Sequence, residues 1–240
     1  MKRSEIRANI KGALAEDSVY RDDTFLNNAI DEGNGLVSMY SLCDERRSSI
    51  NIDGSRNFNP VPASGTAYCF APLFVGNANT GYRLSPVRPD QLELYNPHWE
   101  GRVGTDGGGL YYTYLNPYHS AQATLVTCPI QNIGRTQLTV LGAYIPEAMS
   151  ADTDVPRFAD SFHDLLVLYG TFYGFISEPG MGRRAADVLG QFVKRLNEFT
   201  ASIRKRFPSG RDYEPTPVEF NYENITDQDR NVERSQGEGK

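Results

Sequence analysis

Three histidines, His98, His119 and His163, are the side chains best placed to move a proton near neutral pH. No two of them stand at a spacing that would clasp zinc, and there is no His-Glu-x-x-His. His163 precedes Asp164 beside an apolar helical stripe, where a structural role outweighs that of ligand or base. His98 and His119 lie among prolines and asparagines, in loops that could face a cleft. The run Gly104-Thr105-Asp106-Gly107-Gly108-Gly109 invites comparison with a phosphate-cradling loop. No strand is expected before it and no helix after it, and the Lys-Ser/Thr that such a loop needs is missing, so a hairpin loop is the better account. Asp152 and Asp154 would make a carboxylate pair for Ca²⁺ or acid/base work, but just ahead of a helix they serve better as caps. Asn224-Ile225-Thr226 has the form of a glycosylation acceptor, which matters only in an exported chain. No catalytic residue, metal site or cofactor is expected.

What remains is surface chemistry. The segment 181–207 carries seven bases against Asp187 and Glu198, a balance of +5, while 208–240 carries eight acids against four bases, a balance of -4. Arg183, Arg184, Lys194 and Arg195 therefore make candidate electrostatic contacts to another subunit. A solvated helix face and a grip on DNA phosphates are the competing explanations. Tyr213, Phe220 and Tyr222 are spaced like anchors in the acidic tail. The tyrosine-rich stretch around Tyr111, Tyr112 and Tyr114 suits a core or interface strand better than a sugar platform.

Composition sets limits on all of this. The chain has 240 residues, 39% hydrophobic content and a net charge of -6. That is enough to bury a core, and it is the wrong sign for a protein that holds nucleic acid by its phosphates. No run approaches the roughly 18 apolar residues of a membrane span. The opening Met-Lys-Arg-Ser-Glu-Ile-Arg continues without an apolar stretch, so no export signal is expected. Cys43, Cys69 and Cys128 are far apart and odd in number, which suggests buried free thiols in a reducing compartment.

These residues need elements to position them. Ile6, Ile10 and Leu14 predict a helix over 4–15 with Ser4 as cap. A second helix is expected from Asp23 to about Cys43, with Gly33 and Gly35 weakening its middle. Between about 47 and 150 the pattern turns β-like. Candidate strands are Ser48–Ile52, Ala67–Val75 with a bend at Pro72, Gly81–Leu84, Leu110–Leu115, Ala123–Thr127 and Thr136–Tyr144, with turns at Asp53-Gly54 and Asn79-Thr80-Gly81. Helical period returns with Phe158, Phe162, Leu165, Leu166 and Tyr169, where Pro156 fits a first turn and Asp154 a cap. The longest helix is expected over 183–207, stopped by Pro208. The tail 208–240 has too few aliphatics to offset its ordering entropy alone.

The expected class is α+β. Two N-terminal helices (1–46) and two C-terminal helices (151–207) would form one antiparallel bundle. An antiparallel sandwich or barrel (47–150) is inserted between them, and an extended tail (208–240) follows.

Several stretches in this order resemble the head-to-tail adaptor proteins of tailed bacteriophages. Phe25-Leu26-Asn27-Asn28-Ala29-Ile30 is similar to the start of that family's second helix. Arg83-Leu84-Ser85-Pro86-Val87, followed by Asp90 through Trp99, is similar to its Leu-x-Pro and Pro-x-Trp segment. The glycine-rich turn into Tyr114, the strand ending at Pro146, Asp152–Pro156 and Asp164–Tyr169 resemble its closing pattern. The likeness spans about residues 3 to 207, with more glycine around Gly104–Gly109 than the family pattern has and a tail outside it.

The resemblance implies a structural virion protein of the neck, assembled in the host cytoplasm, with no enzymatic activity and no membrane. It would form a ring of the portal's symmetry, usually twelvefold. The helical bundle would pack around that ring, and the β-region would project to contact neighbours. Its partners would be the portal, further copies of itself, a tail or neck protein below, and DNA passing through the lumen without sequence-specific binding; Arg183, Arg184, Lys194 and Arg195 would then meet either another subunit or the portal. A stopper or tail-tube initiator, a glycan-binding virion module and an enzyme are the alternatives.

Overall fold

The computed structural model describes residues 1–14, 22–51, 58–60, 68–78, 81–88, 90–91, 103–104, 111–115, 124–128, 130–131, 137–206 and 217. The chain is α+β and divides into two compact units. One comprises Met1–Ser41 and the chain from Ala148 through the last helix; the other is Leu42–Glu147.

Four α-helices are described, all in the first unit: α1 (Arg3–Ala13), α2 (Asp23–Ser41), α3 (Asp164–Ile176) and α4 (Gly182–Arg206). The start of α1 is built differently from expectation. Its N-cap is Lys2, not Ser4, and the Glu5 carboxylate accepts a 2.8 Å bond from the Lys2 backbone N–H. The Arg3 and Ser4 amides, orphans of a first turn, donate to the carbonyls of Asp154 and Asp152. Asp22 caps α2, its carboxylate taking the Phe25 amide at 2.8 Å. Ile6, Ile10, Leu26, Ile30, Leu165, Leu166, Phe192 and Leu196 all lie within the interior of this unit, each no more than 1% exposed.

The midpoint of α2 is continuous because Gly33 does packing work there. A Cβ on Gly33 would lie 2.8 Å from Cδ1 of Tyr169 and 3.3 Å from its Cβ. Gly33→Ala should therefore lower stability by about 1–3 kcal/mol despite alanine's better helix propensity. Gly12 has nothing within 4 Å of that position, so Gly12→Ala should raise stability by about 0.5–1 kcal/mol. Denaturant midpoints for the pair check both signs.

Helix α3 departs furthest from its sequence pattern. It begins at Asp164, not after Pro156. Phe162 sits in a 3-10 turn, Asp160–Phe162, and Phe158 precedes that turn. Asp154 does not cap α3: its carboxylate takes the Ser150 and Ala151 amides, each at 2.8 Å.

The second unit holds β1 (Glu45–Asn51), β2 (Phe58–Pro60), β3 (Tyr68–Asn77), β4 (Ser85–Pro86), β5 (Val103–Gly104), β6 (Tyr111–Leu115), β7 (Thr124–Cys128), β8 (Ile130–Gln131) and β9 (Gln137–Ile145). They pair as β1-β9-β3, β2-β7-β6-β4 and β5-β8. The three-stranded sheet is purely antiparallel, but β4 runs parallel to β6, which makes the four-stranded sheet mixed, and β5 runs parallel to β8. The strand expected at Gly81–Leu84 is reduced to a bridge between Arg83 and Gly76, and the strand lies at Ser85–Pro86 instead.

Strand β9 is buried on both faces. Leu138, Val140 and Tyr144 join one cluster, with Leu125 and Tyr112 from the other sheet; Ala143 joins a second, with Leu42, Ala71 and Leu73. On β3 the register shifts between Cys69 and Ala71 and again between Pro72 and Phe74. Each extra residue turns the chain over, which is why Cys69 and Val75 point into the first cluster while Ala71 and Leu73 point into the second. The Tyr114 hydroxyl, on the four-stranded sheet, donates to the Cys69 carbonyl on the three-stranded one.

Candidate interaction surfaces

Among the described residues, the groups that the sequence offered for chemistry are committed to packing, ion pairs or turns. His163 is 0% exposed. Its Nε2 lies 2.9 Å from the Phe158 carbonyl and its Nδ1 lies 2.6 Å from the Met1 nitrogen. Nε2–H therefore donates and Nδ1 accepts, which is the neutral imidazole. The Phe158 ring meets it edge-on, centroids 5.2 Å apart. Burial holds its pKa below the usual histidine range, with the nearby amino terminus acting in the same direction; the Phe158 carbonyl and Asp160 oppose it.

The folded state thus binds a proton less readily than the unfolded chain. The stability His163 contributes is full above about pH 6.5 and is lost as pH falls below it. Denaturant midpoints between pH 7.5 and 5 should fall for the unmodified chain and fall less steeply for His163→Gln. Equal slopes would contradict this role.

Asp152 and Asp154 form no open carboxylate pair. Asp152 lies 3.1 Å from the Arg7 guanidinium, and Asp154 closes its own turn. Among the described residues no group of three or more His, Cys, Asp or Glu could hold a metal ion. Burial pushes the Cys69 thiol up to about 11, which disfavours the thiolate a nucleophile needs. A two-residue strand, β5, does lead into the glycine run, contrary to expectation, and it pairs in parallel with β8. Residues 105–109, His98, His119 and the anchors Tyr213, Phe220 and Tyr222 lie outside the described residues. No described helix is long and apolar enough to cross a membrane.

The tyrosine strand divides by face. Tyr112 is 1% exposed in the core and Tyr114 packs beside it, while Tyr111 points out at 41%. Tyr82, which no sequence pattern singles out, is the most exposed large hydrophobic side chain among the described residues, at 71%.

On α4 the four cations singled out by charge fall into two groups. Arg195 is engaged within its own unit: Nε donates to Asp164 at 2.9 Å, Nη1 to Glu198 at 3.0 Å and Nη2 to the Ser161 carbonyl at 2.7 Å. Its guanidinium carbon also stands 4.5 Å from the centre of the Phe162 ring. It ties α4 to the turn that opens α3. Arg183, Arg184 and Lys194 are exposed, and so is Lys205, which charge alone did not separate from its neighbours Arg204 and Arg206.

Among the described residues His163 is packed away, while a charged helix and the outward tyrosines Tyr82 and Tyr111 lie at the surface, where contact with other proteins is made. Comparison with known families agrees. The model of the family described as SU10 adaptor protein matches residues 1–215, and the chain belongs to that family of phage head-to-tail adaptors. It is a structural component of the virion that meets other head or tail proteins. No curated protein matches the chain.

Proposed function

We propose that this protein forms the ring beneath the portal, joins it to the tail and continues the DNA channel. The observation that carries this is the family match across 1–215, nearly the whole chain. Charge supports it. A net charge of -6 suits a lumen through which DNA slides without being held. The helices would act as one antiparallel bundle and the sheets as a sandwich presenting Tyr82 and Tyr111 to a neighbour. The partners are the portal, further copies in a ring that takes the portal's symmetry, and a tail protein below. Tyr213, Phe220 and Tyr222 anchor the tail on one of these. Electron microscopy of the protein mixed with its portal tests the proposal. A closed ring seated on the portal is expected; portal particles left bare at saturating protein would overturn it.

A further inference from the structure

We propose that the exposed basic stripe of α4 receives the acidic stretch 212–229 of the neighbouring copy, so that each joint of the ring is closed by a strap of opposite charge. This rests on the ring assembly proposed above and names the surfaces that make it.

Helix α4 runs for 25 residues and buries Ala185, Leu189, Phe192, Leu196, Phe199 and Ile203. At about 100° per residue, Arg183, Lys194 and Lys205 fall within about 40° of arc on the opposite side, with Arg184 on the flank about 60° further round. All four are exposed. From Arg183 to Lys205 the stripe is about 33 Å long. Two acids interrupt it, Asp187 and Glu198, and Glu198 is already bonded to Arg195.

The chain carries its own counterpart. Residues 212–229 contain six acids (Asp212, Glu214, Glu219, Glu223, Asp227 and Asp229) and no base. Extended, such a stretch reaches up to about 60 Å, enough to run the length of the stripe. Tyr213, Phe220 and Tyr222 alternate with these carboxylates and bring apolar area to the contact. Copies of net charge -6 repel one another as wholes, so a joint between them needs a local attraction, and this is the strongest complementarity within the sequence. A DNA backbone fits the same stripe less well. Its charges recur every ~1.7 Å along the axis and would meet Asp187 and Glu198 without adjustment, whereas a peptide can place its carboxylates between them.

The experiment uses full-length rings assembled on the portal from equal parts ¹⁵N-labelled and unlabelled protein. A carbodiimide then joins a lysine amine to a carboxylate in contact with it, with loss of water. Links from Lys194 or Lys205 to Glu219, Glu223 or Asp227 are expected, about half of them between heavy and light copies, as random mixing requires. The double change Arg183→Glu with Arg184→Glu, which leaves the Lys194 and Lys205 amines in place to report, should cut the mixed links severalfold, since weak exposed pairs are lost together. Adding Glu219→Lys and Glu223→Lys should restore links of the reversed sense. Rings whose links are all within one isotope overturn the strap while leaving the ring standing. So do rings in which the double change abolishes retention of added DNA but leaves the tail links as they were. If no ring forms, the ring assembly fails and the strap with it.

Discussion

Phe199→Ala should cost the helical unit about 3–5 kcal/mol, the range for removing a buried aromatic ring. Phe199 is 1% exposed and lies between two other rings, with centroids 4.6 Å from Phe162 and 5.6 Å from Phe158. Those partners belong to the turn ahead of α3, which has little helix of its own to hold it. Phe158 also supplies the carbonyl that receives the His163 proton, and Phe162 carries the Arg195 guanidinium. The loss should therefore exceed that of an isolated side chain and loosen the whole segment. Urea unfolding followed by helical circular dichroism checks it. A change below about 1 kcal/mol would mean the ring cluster contributes little, contrary to its burial.

At Leu42 the expected order of substitutions is inverted. Leu42 has φ +56°, the left-handed region that costs a side-chain-bearing residue roughly 1–2 kcal/mol. Its side chain is only 5% exposed and packs with Ala71, Leu73 and Ala143 in the second sheet cluster. Burial thus offsets the strain, and glycine, the usual choice for such a backbone, would forfeit the contact. Leu42→Ala removes most of the packing and keeps the strain, so it should cost about 2–4 kcal/mol. Leu42→Gly removes slightly more side chain but releases the strain, so it should cost no more than the alanine change and up to about 1 kcal/mol less. At an ordinary buried site glycine is the worse of the two. Midpoints showing glycine clearly worse here would remove the strain from the account.

Much of the helical architecture was legible as periodicity. The stripes Ile6/Ile10 and Leu189/Phe192/Leu196/Phe199 gave α1 and α4 to within a residue or two, because a helix is a local structure written in local spacing. The same rule misled at α3. Phe158 and Phe162 keep helical spacing, yet they fit the core from a turn, and period cannot tell a helix from a turn that points the same side chains inward. Strands β3, β6, β7 and β9 were legible from their alternation, and the bend foreseen at Pro72 is the site of a register shift. The short β2, β5 and β8 were missed because two or three residues carry no pattern.

The surface divides in the same way. Charge counting picked out α4 and treated Arg184, Lys194 and Arg195 alike, since the sequence shows only that each is a base on one helix. It could not know that Asp164 and the Ser161 carbonyl come to lie against Arg195. By itself, then, the sequence determined the order of elements, the acidic net charge, the basic helix with its acidic sequel, and through the order of its motifs the adaptor family. The tertiary structure alone decided which strands meet, which face of β3 turns inward after each bulge, why Gly33 must remain bare, and which cations stay at the surface. Those outcomes depend on groups far apart along the chain that approach only when both have folded, and no local spacing records them.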